Sequence, residues 1–377
     1  MISQTLTCTR CIMNTTDSSI SFDENGICNH CKKYDEVANS YPFNSQQSID
    51  FELNKMISRT IENGKGKPYN CVIGVSGGVD STYLAYIAKQ KGLRPIAVHL
   101  DNGWNSELAV HNIEKVLKNL GIDLLTHVLN WEDFKDLQIA FLKASVSDAE
   151  IPTDHAISGI LYKVARKYKI STILLGTNNA TESGLPFAWT YGVSDWMYIN
   201  AIHQRFGTRK MTNYPHFRFI DEFYWKVFCG IKVFPILDYV HYNKADALNV
   251  LQDELGWQYY GGKHYESIYT RFFQGFILSK KFNIDKRIAH LSSLIRSGQI
   301  SRDAAIVEME KPSYSEDLQR EDREYVIKKL GFTNQEFDAI LSAPVKSFHD
   351  YPNYYNLASK TIGFDQARKF ARMIRSI

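Results

Sequence analysis

Apolar and polar residues along residues 69–175 follow a pattern that predicts strands and helices in turn. Short apolar runs predict buried strands at 70–75, 95–100, 123–129 and 171–175. Helical periodicity predicts helices at 80–91, 106–120, 131–145 and 154–168. Strands that alternate with helices favour a parallel sheet with helices on both faces. The fold class predicted for this region is therefore α/β.

The first 34 residues hold four of the six cysteines. They form two pairs, Cys8-x-x-Cys11 and Cys28-x-x-Cys31, with sixteen residues between the pairs. This spacing is typical of a zinc ribbon, in which each pair supplies two ligands to a tetrahedral Zn²⁺. Four thiolates leave no open coordination position, so we expect a structural zinc ion. His30 is a weaker ligand candidate.

These patterns divide the chain into three predicted domains. Residues 1–45 form the zinc ribbon, and residues 46–245 form the α/β domain, which begins with a helix over 46–63. Residues 246–377 form a helical region that completes the substrate site. A chain of 377 residues is long enough for this arrangement.

The composition favours some classes of protein over others. With 44% hydrophobic and 23% charged residues, the chain has the composition of a soluble globular protein. A formal charge of +3 predicts no nucleic-acid partner, because it leaves no strong basic surface. Apolar runs long enough to span a bilayer are absent from the sequence, so we expect a cytoplasmic protein.

The stretch after the first predicted strand suits an anion site. A turn of small residues (Ser76, Gly77 and Gly78) ends the apolar run, and a helix is predicted from Asp80. The candidate loop is Ser76, Gly77, Gly78, Val79, Asp80, Ser81 and Thr82. The first N–H groups of a helix lack internal partners and lie at its positive end, so they can bind phosphate. The hydroxyl groups add donors, and Asp80 can hold Mg²⁺. The Walker and dinucleotide-binding patterns do not fit, and the alternative is an ordinary turn.

Polar segments also follow two other predicted strands. Asp101 and Asn102 come after the second strand, and a segment that includes Gly176, Thr177 and Glu182 comes after the fourth. Ligands of parallel sheets bind beyond the carboxyl ends of the strands, so we expect both segments near the phosphate loop. For Glu182, a solvated loop carboxylate is the alternative.

Two later regions have a composition that suggests ligand binding or catalysis. Residues 184–235 are rich in aromatic and basic side chains, which suit a nucleotide sugar, although a peripheral helical layer would have the same composition. Residues 261–271 contain two glycines and a dense set of functional side chains: Lys263, His264, Glu266, Ser267 and Arg271.

Residues at the start of the predicted helix 154–168 have either a structural or a catalytic role. Thr153 or Asp154 is predicted to cap the helix, with catalysis as the alternative for Asp154. His155 is a candidate proton acceptor for an attacking amine, because a neutral imidazole near a cleft can take up a proton. A structural histidine is the alternative.

Several of these motifs resemble known proteins. The loop from Ser76 to Ser81 resembles the pyrophosphate loop (PP-loop) of the ATP pyrophosphatase superfamily. The chain as a whole, from Cys8 to about Ile306, resembles the N-acetyl sugar amidotransferase family of bacterial lipopolysaccharide O-antigen and flagellin-glycan pathways. The motifs that carry this resemblance are the cysteine pairs, the PP-loop and the segments 176–183, 261–267 and 285–290.

The resemblance implies an adenine nucleotide alpha-hydrolase-like fold and a defined reaction. The oxygen of an acetamido group attacks the α-phosphate of ATP, pyrophosphate leaves, and ammonia then displaces AMP to form an acetamidino group. The implied cofactors are ATP, Mg²⁺ and structural Zn²⁺.

The resemblance also implies roles for individual residues. The loop from Ser76 to Thr82, with Gly176 and Thr177, would bind ATP, and Asp101 and Asn102 would lie near the nucleoside. Asp80 and Glu182 would hold Mg²⁺. The candidate catalytic residues are Asp80, Ser81, His155, Lys263 and Arg271.

Ammonia requires a source outside this chain. Cys71 lies in a predicted strand and Cys229 in an aromatic helix, and neither context suits the nucleophile of a glutaminase. The resemblance implies a glutaminase subunit and a cyclase-like barrel subunit as partners that deliver ammonia, with a nucleotide sugar as the substrate.

Two other functions remain as alternatives. A PP-loop tRNA thiolase also combines zinc-binding cysteines with a pyrophosphate loop, but it generally needs a catalytic cysteine pair or a sulfur carrier and a basic surface. A nucleotide-sensing module would keep the loop and lose the second polar cluster at 261–271.

Overall fold

The computed structural model describes residues 5–262 and 264–362. Its centre is a parallel sheet of five short strands: β1 (Cys71–Gly74), β2 (Pro95–Asp101), β3 (Asp123–Val128), β4 (Thr172–Leu175) and β5 (Lys232–Pro235). Their order across the sheet is β3-β2-β1-β4-β5. The parallel α/β class predicted from the sequence is confirmed, and four of the five strands lie where the apolar runs predicted them.

Helices surround the sheet, and loops and short 3-10 turns connect them. Before β4 they are α1 (Asn29–Ala38), α2 (Gln46–Asn63), α3 (Val79–Gln90), α4 (Glu107–Leu120), α5 (Trp131–Ala144) and α6 (Ile151–Lys167). After β4 they are α7 (Asn179–Glu182), α8 (Trp196–Phe206), α9 (Phe219–Val227), α10 (Lys244–Leu255), α11 (Ile268–Phe272), α12 (Leu278–Phe282), α13 (Lys286–Arg296), α14 (Arg302–Glu310), α15 (Glu316–Leu330), α16 (Asn334–Ser342) and α17 (Tyr354–Ile362). None of these described helices is long and apolar enough to cross a membrane.

Alternate residues of β1 face opposite sides of the sheet, as the pleat of a strand requires. Val72 packs into an apolar cluster with residues of α5 and α6, whereas Cys71 and Ile73 pack into a second cluster with residues of α3 and α4. All three side chains are fully buried. Burial on both faces explains why β1 is a continuous apolar run without polar alternation.

The chain order places a crevice beside β1. From β1 the chain runs to β2 and β3 on one side of the sheet and then returns to β4 and β5 on the other side. Ligands of such sheets bind where the strand order reverses, beyond the carboxyl ends of the two central strands. Here those strands are β1 and β4, so the crevice lies between the loops that begin at Val75 and Gly176.

Two predicted details of the helices differ in the structure. Helix α6 starts at Ile151, with Pro152 in its first turn, so Thr153 and Asp154 lie inside the helix. The prediction that they cap it is wrong, because a proline fits the first turn and moves the start upstream. The sequence also predicts a helix over 271–282, and in the structure one π-helical turn, Phe273–Ile277, interrupts it between α11 and α12.

Candidate active site

The phosphate loop joins β1 to α3 through serine hydroxyls. Ser81 Oγ accepts the Ser76 N–H at 3.1 Å and donates to the Gly78 carbonyl at 3.2 Å. The two serine hydroxyl oxygens lie 3.1 Å apart. Ser76 is exposed and α3 begins directly after Gly78, so the free amides of the first helical turn lie beside an accessible hydroxyl group. This arrangement suits the oxygens of a pyrophosphate.

Gly77 allows two parts of the chain to approach the loop closely. Its φ of +87° favours glycine, and a Cβ there would lie 3.0 Å from the Ala109 carbonyl oxygen. The Gly77 carbonyl accepts hydrogen bonds from Trp257 Nε1 at 3.0 Å and from the Tyr260 hydroxyl at 3.3 Å. These two rings cover one side of the loop. Nothing in the local sequence assigns them to the site, because aromatic residues in this region also suit the core.

Two residues of the predicted loop are covered by protein to different degrees. Thr82 is 4% exposed, and the partly buried Val79 packs against the apolar clusters of α3 and α10. A hydroxyl donor at Thr82 stays a prediction.

Asp80 and Glu182 approach the same tyrosine. The hydroxyl group of Tyr242, a residue that is 7% exposed, donates a hydrogen bond to Asp80 Oδ1. Burial raises the pKa of Tyr242, and the charges of Asp80 and Glu182 raise it further. Gly176 packs on the first turn of α3, since a Cβ there would lie 3.1 Å from the Asp80 carbonyl carbon. The structure thus brings the ends of β1 and β4 together, with a carboxylate from each.

A second charged group lies on the first turns of α6. Glu150 Oε2 accepts hydrogen bonds from Lys286 Nζ at 2.9 Å and from Gln274 Nε2 at 2.8 Å. One helical turn later, Asp154 is exposed. Desolvation raises the pKa of Asp154 to about 7; the charges of Glu150 and Glu182 add to this shift and that of Lys286 opposes it.

The segment before α11 reaches the phosphate loop from the other end of the chain. A Cβ at Gly78 would lie 3.6 Å from Glu266 Oε1. Glu266 Oε1 is 3.4 Å from His264 Nδ1, and its carbonyl accepts the Ser106 N–H at 2.9 Å. Burial raises the pKa of Tyr260, with the charges of Glu266 and Asp80 as the next causes. Tyr260, His264 and Glu266 therefore lie on one wall of the crevice.

Of the two cations predicted in this segment, Lys263 and Arg271, the structure describes Arg271. Lys263 lies outside the described residues. Arg271 donates to both carboxylate oxygens of Asp322 on α15, at 2.7 Å each, and its guanidinium lies 4.8 Å from the centre of the Tyr265 ring. This bidentate pair neutralises much of the charge that was predicted to face the phosphates.

Asp101 and Asn102 shape the loop that follows β2. Asp101 Oδ1 accepts the Gly103 N–H at 2.8 Å. Asn102 is 8% exposed and donates from Nδ2 to Thr153 Oγ1 at 3.2 Å, which ties this loop to α6. Thr177 is exposed after β4. All of these residues lie at the carboxyl edge of the sheet, as predicted, and their contacts with a nucleoside remain a prediction.

His155 supports the fold from within. It is fully buried, and its ring stacks on Phe217 with 4.4 Å between ring centres. Nδ1 lies 2.6 Å from the Val193 carbonyl oxygen, and Nε2 accepts the Phe217 N–H at 3.2 Å. Burial lowers its pKa to about 4. Both ring nitrogens are occupied by backbone groups, which favours the structural alternative over proton transfer.

Two parts of the chain match known protein families. Residues 52–208 match the NAD synthase family, and residues 266–362 match a family described as LPS biosynthesis protein WbpG-like, C-terminal domain. The chain joins an NAD synthase-like PP-loop domain to a WbpG-like C-terminal domain. This result confirms the resemblance predicted from the motifs.

Individual relatives agree with this division. An uncharacterized protein from Methanocaldococcus jannaschii is 25% identical over 331 residues, which span 85% of this chain and 99% of that protein. The NH3-dependent NAD+ synthetase of Pyrococcus horikoshii is 29% identical over 156 residues, 39% of this chain and 58% of that enzyme. The latter match spans less than half of this chain.

Solved structures give only distant likenesses. NMN synthetase from Francisella tularensis has a TM-score of 0.32 at 16% identity and covers 88% of this chain and 97% of its own. The U34-tRNA thiolase NcsA from Methanococcus maripaludis, solved with its [4Fe-4S] cluster, has a TM-score of 0.36 at 14% identity and covers 82% and 87%.

Apart from the PP-loop domain, the structure brings the four predicted cysteine ligands together. Cys8, Cys11, Cys28 and Cys31 are fully buried, and their sulfur atoms all lie within 4.8 Å of one another. Sulfur–sulfur distances are 4.0 Å for Cys8 and Cys31 and 3.7 Å for Cys11 and Cys28. The cluster fits a bound metal.

His30 is not part of that ligand set. Its Nε2 lies 2.7 Å from Asp17 Oδ2, so the ring is oriented toward a carboxylate and away from the sulfur atoms. This agrees with the lower rank that the sequence assigned to it.

Proposed function

We propose that this protein is an ATP-dependent amidotransferase that converts an acetamido group of a nucleotide-linked sugar to an acetamidino group. We place the reaction in the biosynthesis of a bacterial surface polysaccharide. The observation that carries the proposal is the approach of Glu266, the first residue of the WbpG-like match, to Gly78 of the PP-loop. A crevice with an ATP-type loop on one wall and a lipopolysaccharide-type segment on the other suits a sugar as the second substrate.

In the first step, the acetamido oxygen forms a bond to the α-phosphorus of ATP, and the bond from that phosphorus to the pyrophosphate oxygen breaks. The product is an O-adenylated imidate. The loop amides and the hydroxyl groups of Ser76 and Ser81 hold the leaving pyrophosphate, and Asp80 and Glu182 would hold Mg²⁺. When bound, Mg²⁺ supplies positive charge that stabilises the phosphate oxygens.

In the second step, ammonia forms a bond to the imidate carbon, the carbon–oxygen bond to AMP breaks, and one proton is released. We assign Asp154 as the acceptor of that proton. Its side chain is exposed and lies one helical turn from the Glu150–Lys286 pair, in which Nζ and Oε2 are 2.9 Å apart. A carboxylate whose pKa is raised to about 7 is a suitable general base near neutral pH.

The source of the ammonia and the cellular location of the reaction are also part of the proposal. We propose that a glutaminase subunit and a cyclase-like barrel subunit deliver the ammonia, that the reaction takes place in the cytoplasm, and that no nucleic acid takes part. The predicted domain boundaries at residues 45 and 245 remain part of the proposal. Exposed sites for such partners are available, since α9 presents several apolar side chains at its surface, including Phe223 at 46% and Val227 at 57% exposure.

We propose that the cysteine cluster binds one structural Zn²⁺. A tetrahedral ion with bonds of about 2.3 Å to sulfur sets neighbouring sulfur atoms about 3.8 Å apart. The sulfur–sulfur separations of 4.0 Å for Cys8 and Cys31 and 3.7 Å for Cys11 and Cys28 agree with this value. A [4Fe–4S] cluster would bind each thiolate to a different iron atom and would require a wider cage.

The tRNA thiolase alternative lacks a suitable thiol. Of the two cysteines outside the cluster, Cys71 is fully buried in β1, where burial raises its pKa, and Cys229 is exposed near the end of α9. Neither is placed beside the PP-loop. A persulfide-carrying nucleophile would need to lie at the crevice.

A direct assay tests the proposal. The protein is incubated with ATP, Mg²⁺, ammonium and a panel of nucleotide-linked diacetamido sugars, and the products are analysed by mass spectrometry. We expect AMP and pyrophosphate in equal amounts and a sugar product lighter by about one dalton, as oxygen is replaced by NH. Sulfur incorporation into tRNA under matched conditions, with no change in any sugar, would establish the thiolase alternative.

A further inference from the structure

Arg296 of α13 connects the cysteine cluster to the segment that carries Glu182. Its side chain is 6% exposed. Nη1 lies 4.0 Å from Cys11 Sγ. From the same guanidinium group, Nη2 donates to the Ser183 carbonyl at 2.5 Å and lies 3.3 Å from Ser183 Oγ. One buried cation thus contacts a predicted metal ligand and the residue next to a predicted Mg²⁺ ligand.

The Glu182 segment is held mainly by α13. Besides Arg296, Ser293 Oγ donates to the Ser183 carbonyl at 2.5 Å, and Ser297 Oγ donates to the Ala180 carbonyl at 2.9 Å. Gly184 has a φ of +85°, and a Cβ there would lie 2.7 Å from Arg296 Nη2. The backbone on both sides of Glu182 therefore follows the position of this helix and of its arginine.

The ribbon is bound to the same part of the chain. The Ile12 N–H donates to Ser292 Oγ at 3.2 Å. Arg302, at the start of α14, donates to the carbonyls of Cys11 at 3.2 Å and Cys8 at 3.3 Å. Arg302 contacts the ribbon backbone, and its hydrogen bonds do not extend to Ser183.

The charge of the cluster determines how Arg296 is stabilised. Four thiolates around one Zn²⁺ carry a net charge of about two negative units, which compensates a buried guanidinium close to them. Loss of the metal would remove what holds the four sulfur atoms in one arrangement. Because one guanidinium group contacts both Cys11 Sγ and the Ser183 carbonyl, a shift of Cys11 would change the position of Arg296 and of the Ser183 backbone with it.

We propose that Arg296 couples metal occupancy of the cysteine cluster to the position of Glu182, and so acts as a positioning residue for Mg²⁺–ATP. This inference rests on the proposed function in so far as that function places Mg²⁺–ATP at Asp80 and Glu182. It assigns the ribbon a role in the active site that a purely local folding unit would not have.

The test measures coupling in both directions on the full-length protein. Zinc release to a zinc-selective chromogenic chelator is timed with and without Mg²⁺–ATP, in the absence of sugar and ammonium. Coupling is reciprocal, so if the ribbon supports nucleotide binding, the nucleotide must retain zinc. In the wild type we expect Mg²⁺–ATP to slow zinc release about tenfold, within the usual range of coupling between sites.

The variant Arg296→Met removes the bridge, and Arg302→Met is the matched control on the ribbon backbone. We expect Arg296→Met to purify with one zinc per chain, to bind Mg²⁺–ATP about tenfold more weakly, and to release zinc at a rate that no longer depends on nucleotide. Arg302→Met is expected to keep the nucleotide dependence. Equal protection by Mg²⁺–ATP in the wild type and in Arg296→Met would overturn the inference.

The wild type provides a measurement that does not require either variant to fold. If it binds Mg²⁺–ATP tightly and its zinc release is unaffected, the inference fails while the proposed function stands. If zinc-loaded wild type binds no Mg²⁺–ATP at all, the proposed function fails. Isothermal titration with ATP and Mg²⁺ separates these two outcomes.

Discussion

The Tyr242 hydroxyl group donates a hydrogen bond to Asp80 Oδ1, and this contact joins the chain that follows β5 to the first turn of α3. It orients the carboxylate before any cation is bound. A nearby tyrosine with a raised pKa stays protonated at neutral pH and continues to donate. The geometry of the phosphate-side carboxylate is thus fixed by a residue 162 positions away in the sequence.

Asp80→Ala is expected to lower ATP-dependent turnover by at least about 100-fold, because it removes a candidate Mg²⁺ ligand beside the phosphates. Pyrophosphate release with the sugar substrate is the measurement. The fold is expected to remain intact by circular dichroism, since the side chain lies at the crevice. Asp253→Ala, on the exposed face of α10, is the control and is expected to be fully active. Unchanged pyrophosphate release in Asp80→Ala would remove this residue from the mechanism.

Asp154→Asn is expected to slow the ammonia-dependent step by about 100-fold or more, in the range typical of a lost general base. In the wild type the rate is expected to rise with pH through about 7, as the carboxyl group loses its proton. Rates at saturating ammonium between pH 5.5 and 8.5 test this, with Asp303→Asn as a surface control.

The free energy of unfolding is also expected to depend on pH through the carboxyl group of Asp154. The folded pKa of Asp154 is about 7, above its ordinary value of 3.8. The folded state therefore binds more protons than the unfolded state between these values, and stability falls as the pH rises across them. Asp154→Asn is expected to flatten that fall, as measured by urea denaturation at pH 5 and pH 8. An identical slope in both proteins would show that Asp154 titrates normally.

His155→Ala is expected to reduce the free energy of unfolding by about 3 kcal/mol, because it leaves a cavity and unpairs two buried backbone groups. The exposed His111→Ala on α4 is the control and is expected to change stability little. For a structural role, the KM for ATP of folded His155→Ala should equal that of the wild type. A large fall in kcat without loss of stability would restore the catalytic prediction.

The wild-type stability is expected to decline as the pH falls from 6.5 to about 4, since the unfolded imidazole takes up a proton at 6.5 and the folded one only near 4. A shift of this size corresponds to about 3 kcal/mol. This stability is fully present above pH 6.5. Denaturation of His155→Ala across the same range is expected to lack this component.

Cys8→Ser is expected to lower zinc content and thermal stability together, because a hydroxyl group is a poor ligand for Zn²⁺ and the short ribbon depends on the metal to fold. Metal analysis and calorimetry are the measurements. Cys229→Ser, which replaces an exposed cysteine, is the control and is expected to retain full zinc. If Cys8→Ser retains stoichiometric zinc, the assignment of four thiolate ligands is wrong.

The sequence predicted the parts of the site that depend on local pattern. The strand ends at Ser76, Asp101 and Gly176 follow apolar runs, and the rule for parallel sheets then places them at one edge. The cysteine pairs were equally clear because ligand spacing is a local property.

Other residues of the site could not be found in this way. Tyr242, Trp257 and Tyr260 are brought to the loop by the packing of distant segments, and nothing in their local sequence separates them from core aromatics. Glu150 could have been predicted, since a helix that starts at Ile151 places it one turn from Asp154. The predicted helix started too late, at residue 154, and so left Glu150 out.

The cover of the phosphate loop comes late in the chain. Trp257 and Tyr260 contact Gly77 from positions 180 and 183 residues further along. During translation the ribosome completes the glycine loop and its helix long before it reaches these rings. A nascent chain that ends before Trp257 holds the loop without its cover, so productive ATP use must wait until the C-terminal segment has been synthesised and has folded back.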